Sequence, residues 1–328
     1  MTRKPPTLRY VGGDAVFAPW RNDVLTGTGP VVFPHGLPVP EISPGHVVLL
    51  GGAPGAGKTA LVMSCAVEAL RHTPTLRALV ANVEMPPAAL LDRQLARLSG
   101  IEAEAVRHRR FTDKHAERLA VGLATVESFV ERLAFLQPPF DLENTARAAD
   151  AHRADVLVLD YLQRFQPPGD VADPRLRANA VMDMLRRFAG QGAAVLALSA
   201  VGRSRDNAGR STYAASAMSL ASFRDSGELE YGGDDAFLLA PPDDGDVVRL
   251  VQLKSRYGAC RDVDLRFDKP RQSFAVLDDA PPASKPAGGK RRRKAGDVAP
   301  HADFSVERLA ALWKATPAAP TDDAGGAV

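Results

Sequence analysis

The run Gly52-Ala-Pro-Gly-Ala-Gly-Lys-Thr59, directly after the apolar stretch Val47–Leu50, constrains this chain more than any other feature. Its glycines let main-chain N–H groups wrap a phosphate. Lys58 reaches the outer phosphates, and the Thr59 hydroxyl is of the kind that meets Mg²⁺. A helix starting here adds the positive end of its dipole. The pattern needs a strand before the loop and a helix after it, and the flanking residues supply both. The expected phosphate-binding set is Gly52, Ala53, Pro54, Gly55, Ala56, Gly57, Lys58, Thr59 and Ala60, with ATP and Mg²⁺ as the implied ligands.

The surrounding pattern predicts an α/β architecture. Strands are expected at His46–Gly51, Leu76–Val83, Leu133–Leu136, Asp155–Leu159 and Ala193–Leu198. Helices are expected at Lys58–His72, Pro86–Ser99, 113–132, Leu142–His152 and Asp173–Gly190. Strands and helices that alternate at these lengths build a mostly parallel sheet, apolar on both faces because helices cover it. After residue 230 the helices stop. Strands at Ala236–Ala240, Val247–Lys254 and Val263–Phe267 read as antiparallel additions to the sheet. Residues 1–45 read as an irregular Pro/Gly-rich lead-in with one short strand near Val31–Phe33. Residues 279–300, which hold Lys290-Arg-Arg-Arg-Lys294, read as disordered, and 303–315 as an amphipathic helix. The expected division is therefore 1–40, 41–278 and 279–328.

Composition narrows the function classes. A net charge of +2 excludes a bulk basic nucleic-acid coat, so such contact needs a local patch. Two cysteines give neither a disulfide framework nor a zinc spacing. No apolar run approaches the ~18 residues of a membrane span, and no signal sequence opens the chain, so a cytoplasmic protein is expected.

A phosphate loop of this type needs an acid at the end of another strand to orient Mg²⁺. Asp160 closes Val156-Leu-Val-Leu and fills that need, so Thr59 and Asp160 form the expected metal pair. Glu84 follows another strand and can activate the attacking water. Without a ligand, Asp160 would read as a cap and Glu84 as a first-turn acid of the next helix.

Glu84-Met-Pro, Asp160-Tyr-Leu-Gln163, Arg224-Asp-Ser-Gly227 and Lys254-Ser-Arg-Tyr-Gly258 follow the phosphate loop in this order. Over roughly residues 40–278 the chain resembles the RecA-type motor domain of DnaB-like replicative helicases. The RadA and KaiC branches share the fold but fit Glu-Met-Pro and Asp-Tyr-Leu-Gln less well. The resemblance implies a RecA-like three-layer fold and a homo-oligomer, typically a hexameric ring. It also implies ATP hydrolysis with catalytic Glu84, Lys58, Asp160, Lys254 and Arg256, the last two acting on the neighbouring subunit's nucleotide. Single-stranded DNA would meet Arg224, Asp225 and Gly227, and also Arg203 and Arg205 in the mobile pore segment expected at 200–222. Read as ordinary surface, Lys254 and Arg256 would be solvated cations, and Arg224–Gly227 a charged turn.

Two departures from the family pattern bear on function. The family's Ser-Gln after the strand at Val195–Leu198 is Ser199-Ala200 here, and Ala cannot sense a phosphate. The family's helical N-terminal domain and linker helix are expected to be missing, with about 40 irregular residues in their place. Three readings follow: a DNA translocase in plasmid or mobile-element replication with a partner protein, a nucleotide switch that does not unwind DNA, and a RadA- or KaiC-like ATPase.

Overall fold

The computed structural model describes residues 10–167, 171, 173–202, 204–205, 211–212, 223, 232–240 and 245–277. It divides into two units by internal contacts, Met1–Pro30 with Pro282–Val328, and Val31–Pro281.

In the first unit, α1 (Gly13–Thr26) replaces the irregular stretch expected there. No residue of it is buried, and Val16, Phe17, Trp20 and Val24 are exposed. Pro19 lies inside the helix and no side chain caps its start, which hid the element from pattern reading. The short strand expected at Val31–Phe33 does not form. Phe33 makes one main-chain bond, N–H to Ile42 O at 2.8 Å. The expected helix at 303–315 and the basic run at 290–294 lie outside the described residues.

The second unit runs β1 (Val47–Gly52), α2 (Lys58–His72), β2 (Ala78–Asn82), α3 (Pro87–Ser99), α4 (Ala103–Arg107), α5 (Ala116–Glu127) and β3 (Leu133–Phe135). It continues with α6 (Leu142–His152), β4 (Val156–Asp160), α7 (Pro174–Gly190), β5 (Ala194–Leu198) and a small pair, β6 (Ser204–Arg205) and β7 (Ser211–Thr212). It closes with β8 (Asp235–Ala240), β9 (Val247–Ser255), β10 (Val263–Asp268) and β11 (Ser273–Val276). The helix expected at 113–132 is shorter than predicted. Short 3₁₀ turns at Asp113–His115 and Val130–Arg132 flank α5, and Phe129, 1 % exposed, turns into the core between them.

Nine strands form one sheet in the order β11-β10-β9-β8-β1-β5-β4-β2-β3. From β8 to β3 the strands are parallel, and β9, β10 and β11 add antiparallel at one edge. Alternation within each strand assigns the two faces. Val48, Leu50 and Val158 join α2 and α3 in one core, and Val47, Leu49, Leu157 and Leu159 join α6 and α7 in the other. The result is three layers, helix on sheet on helix, as expected. Burying each such Leu contributes roughly 1.5–3 kcal/mol. No helix among the described residues is long and apolar enough to cross a membrane.

Candidate active site

The carboxyl ends of β1, β2, β4 and β5 meet along one edge of the sheet, where an α/β fold presents its crevice. A cleft of about 440 Å³ opens there. Its walls carry Gly52, Pro54, Gly55, Gly57, Lys58, Thr59 and Ala60 from the phosphate loop and α2, Glu84 after β2, and Asp160 at the end of β4. Ala53 and Ala56 are buried behind the loop.

The loop is shaped by its glycines. Gly57 precedes α2 with φ 98°, a left-handed conformation that suits residues without a Cβ. A Cβ at Gly57 would stand 2.9 Å from Phe267 and 3.0 Å from Phe274. Those rings stack at 4.3 Å and carry the β10–β11 hairpin over the loop. Lys58 Nζ donates to the Gly52 carbonyl at 2.8 Å and the Ala53 carbonyl at 2.9 Å. Burial pulls the Lys58 ammonium below the usual lysine range, while the charges of Asp160 and Glu84 act the other way.

Asp160 is 5 % exposed, so its carboxylate needs partners. Thr59 Oγ1 donates to its Oδ2 at 2.6 Å, and Asn82 Nδ2 donates to the same oxygen at 2.7 Å. Burial pushes the Asp160 carboxyl up, and the repulsion of Glu84 adds to this. The Thr59 and Asn82 bonds and the Lys58 charge offset only part. Asn82 stands opposite Asp160 in the register of β2 and β4. Its Oδ1 accepts from the main-chain N–H of Glu84 at 3.0 Å and of Met85 at 2.7 Å. One buried amide thus ties Asp160 to the segment that carries Glu84. Glu84 itself is exposed at the cleft.

The Thr59 hydroxyl and the Asp160 carboxylate at this distance are the hard oxygen ligands Mg²⁺ takes. Among the described residues no group of three or more His, Cys, Asp or Glu could hold a metal by itself. An ion at this pair would draw its other oxygens from phosphate and water, the usual Mg²⁺ arrangement.

Between β4 and β1 lies the end of β5. Gln163 clamps it: Nε2 donates to Ser199 Oγ at 2.8 Å, and Oε1 accepts from the Ala200 N–H at 3.1 Å. Ala200 and Val201 then line the cleft with methyl groups. Val201 bridges Phe223 antiparallel, and both rest on Gly51, where a Cβ would come within 2.6 Å of Val201.

The remaining candidates divide. Lys254 and Arg256 stand at the end of β9, which pairs with the start of β8 and hence with the start of β1. They lie at the sheet edge opposite the phosphate loop, about 15 Å away at ~3.3 Å per residue along β1. Neither lines the cleft. Arg256 Nε meets Asp234 Oδ1 at 3.0 Å. Arg186 grips the same carboxylate through both terminal nitrogens at 2.7 and 3.1 Å, and the Val47 N–H donates to it at 2.8 Å. Burial and the like charges of Arg256 and Arg186 hold the Lys254 ammonium below its usual range. Arg205 belongs to β6, while Arg203, Arg224, Asp225 and Gly227 lie outside the described residues.

Pattern reading missed Asn82, the Asp234–Arg186 pair, the Phe267–Phe274 lid and the cleft residues Arg93, Lys269 and Gln272. Asn82 alone carried a signal, as a polar residue closing an apolar strand. The others come together only through the sheet order.

Residues 41–276 match the family model described as DnaB-like helicase C terminal domain. No curated protein sequence matches significantly. Among solved structures, the chain is similar to the "ATPase Domain of G40P", with TM-score 0.71 and 18 % identity over 82 % of this chain and 100 % of that one. It is also similar to "The Structure Of A DnaB-Like Replicative Helicase And Its Interactions With Primase", with TM-score 0.69 and 18 % identity over 82 % of this chain and 68 % of that one. At these identities the structural likeness carries the fold.

Proposed function

This chain belongs to the DnaB-like helicase C-terminal domain family, and from that premise we propose that it is an ATP-hydrolysing motor. In this reading it assembles as a ring, typically a hexamer, and tracks single-stranded DNA through the centre. The observation that carries the reading is the division of the site between the two edges of one sheet. Phosphate loop, Asp160 and Glu84 share the carboxyl edge, while Lys254 and Arg256 stand at the other, beyond reach of their own cleft. Two edges of this kind can form one site only between neighbouring copies.

The roles follow from the geometry. The phosphate loop's main-chain N–H groups and Lys58 hold the outer phosphates. Thr59 and Asp160 would hold Mg²⁺, which neutralises charge building on the phosphates. Glu84, steadied through Asn82, orients and deprotonates the attacking water. Lys254 and Arg256 of the next subunit meet the transferring phosphoryl group, a contribution worth roughly 10³–10⁵ in rate when a cation arrives in trans. Arg203, Arg205, Arg224, Asp225 and Gly227 are proposed to follow the DNA backbone without reading sequence. Replication or mobile-element proteins are the proposed partners, in the cytoplasm.

Phosphate release measured over a range of protein concentrations, with and without single-stranded DNA, tests the reading. Specific activity should rise with concentration and again with DNA, and Glu84→Gln should bind ATP without turnover. Normal turnover by Glu84→Gln would sink the assignment.

Ala200 supports a second reading, a nucleotide switch that does not unwind DNA, because its methyl group offers a phosphate no hydrogen bond. A strand-displacement assay separates the two. Robust unwinding by the wild type rules out the switch.

A further inference from the structure

We propose that Arg93, on the face of α3 turned to the cleft, contacts the terminal phosphate of the nucleotide bound in its own subunit. The proposal rests on the nucleotide reading of the cleft and assigns a residue to it.

Arg93 lines the cleft together with Met85, which begins the same segment. It is half-buried, yet among the described residues it makes no hydrogen bond and no ion pair. Its neighbours differ in this respect. Arg97, one turn further on, is bonded to Glu68 at 2.6 Å, and Arg109 is bonded to Asp92 at 2.7 Å. A guanidinium that lines a cleft with no protein partner is a ready set of donors for an anion. Burial lowers the affinity of Arg93 for its proton and Arg107 adds to this, with the Asp160 charge opposing.

Asp160 does not fill the role, since one carboxylate oxygen already accepts from both Thr59 and Asn82, and no bond joins it to Arg93. Position then selects the terminal phosphate. Lys58 and Thr59 stand on the β1 side of the cleft, at the phosphate loop, and approach the outer phosphates from there. Arg93 belongs to the segment that runs from Glu84 into α3, the side on which the attacking water must stand. The opposite wall, Ala200 and Val201, offers no side-chain donor. Lys269 on the β10–β11 side is a further cation of the cleft, but Arg93 is the guanidinium among its described lining residues and stands on the Glu84 side, where charge builds as the outer phosphoryl group departs. A planar guanidinium can make two parallel bonds to such a group, which an ammonium cannot.

The test is a pair of binding titrations on the full chain, Mg²⁺ with ADP and Mg²⁺ with the non-hydrolysable triphosphate AMP-PNP. Arg93→Ala and Arg93→Lys are measured beside the wild type. Arg93→Ala should weaken AMP-PNP binding by about 10- to 100-fold, the size expected of a charged hydrogen bond. ADP affinity should move by less than about twofold, which also shows that the variant is folded. Arg93→Lys should recover part of the loss. Equal losses for both nucleotides, or none for either, would overturn the role of Arg93 while leaving the nucleotide site standing. Wild-type protein that binds neither nucleotide would overturn the site and the role together.

Discussion

Thr59 donates its hydroxyl to Oδ2 of Asp160 at 2.6 Å, across 101 positions of sequence. The contact joins the first turn of α2 to the end of β4, with β5 lying between β4 and β1, the strand that leads into α2. It sets both oxygens toward the same point of the cleft before any ion is considered. Asp160→Asn keeps the shape but removes the charge and places donor hydrogens where an acceptor is needed. Turnover should fall by roughly 10²-fold or more, with nucleotide binding in EDTA little changed. Phosphate release and a binding titration check this. Mg²⁺-dependent turnover within a few-fold of wild type would contradict it.

Asn82 makes three bonds from a buried position: to Asp160, to the Glu84 N–H and to the Met85 N–H. Asn82→Ala leaves two main-chain donors without their acceptor, at a cost of about 1–3 kcal/mol each where water cannot replace it. It also frees Glu84 from its fixed relation to Asp160. The expected outcome is a lower denaturation midpoint together with a lower kcat at little change in ATP affinity. Urea unfolding beside steady-state kinetics reads both. A loss of stability with unchanged kcat would show that Asn82 does not position Glu84.

Asp234 concerns stability and its dependence on pH. Burial alone would raise its carboxyl. The Arg186 bond, the Val47 N–H and the charges of Arg186 and Arg256 outweigh that and hold it below the usual carboxylate range. Lys254 faces it as a further cation, and the adjacent Asp235 as a like charge. The sign follows: the stabilisation is fully present above the unfolded value near 3.9 and is lost as pH falls through the lower folded value. Arg186 and Arg256 are partly exposed, so the contribution is discounted for solvent screening to about 2 kcal/mol. Asp234→Asn should lose that much at pH 7 in urea unfolding, and the gap to wild type should narrow as pH falls below the unfolded value near 3.9. A gap independent of pH would assign the loss to packing.

Much of this was legible in the residues. Val47–Leu50, Val156–Leu159 and Val195–Leu198 are apolar runs too short for helices and bounded by turn residues, so they could be read as strands. Lys58–His72 and Leu142–His152 match α2 and α6 at both ends, because Gly57 and the Asp141 cap mark where they start. The pattern failed where partners are distant. β11 exists because a hairpin at Lys269–Gln272 returns four residues onto β10, with Gln272 at φ 55° against ordinary expectation. Asp234 reads as one more acid of a Gly-Gly-Asp-Asp turn until Val47 and Arg186, 187 and 48 positions away, converge on it. The separation of Lys254 and Arg256 from the phosphate loop follows only from the antiparallel sense of β9.

That separation is the central claim, and mixing two inactive variants tests it most directly. Lys58→Ala removes the phosphate-binding half of a site, and Arg256→Ala the half given to a neighbour. Each alone should be slower than wild type by about 10³-fold. Mixed in equal amounts and allowed to exchange, they should recover turnover at roughly a quarter of the interfaces of a closed assembly, those that pair two intact halves. Lys254→Ala, mixed in the same way, should behave like Arg256→Ala. A mixture no faster than the average of its components, or full activity in Arg256→Ala alone, would contradict a site completed by the neighbouring subunit.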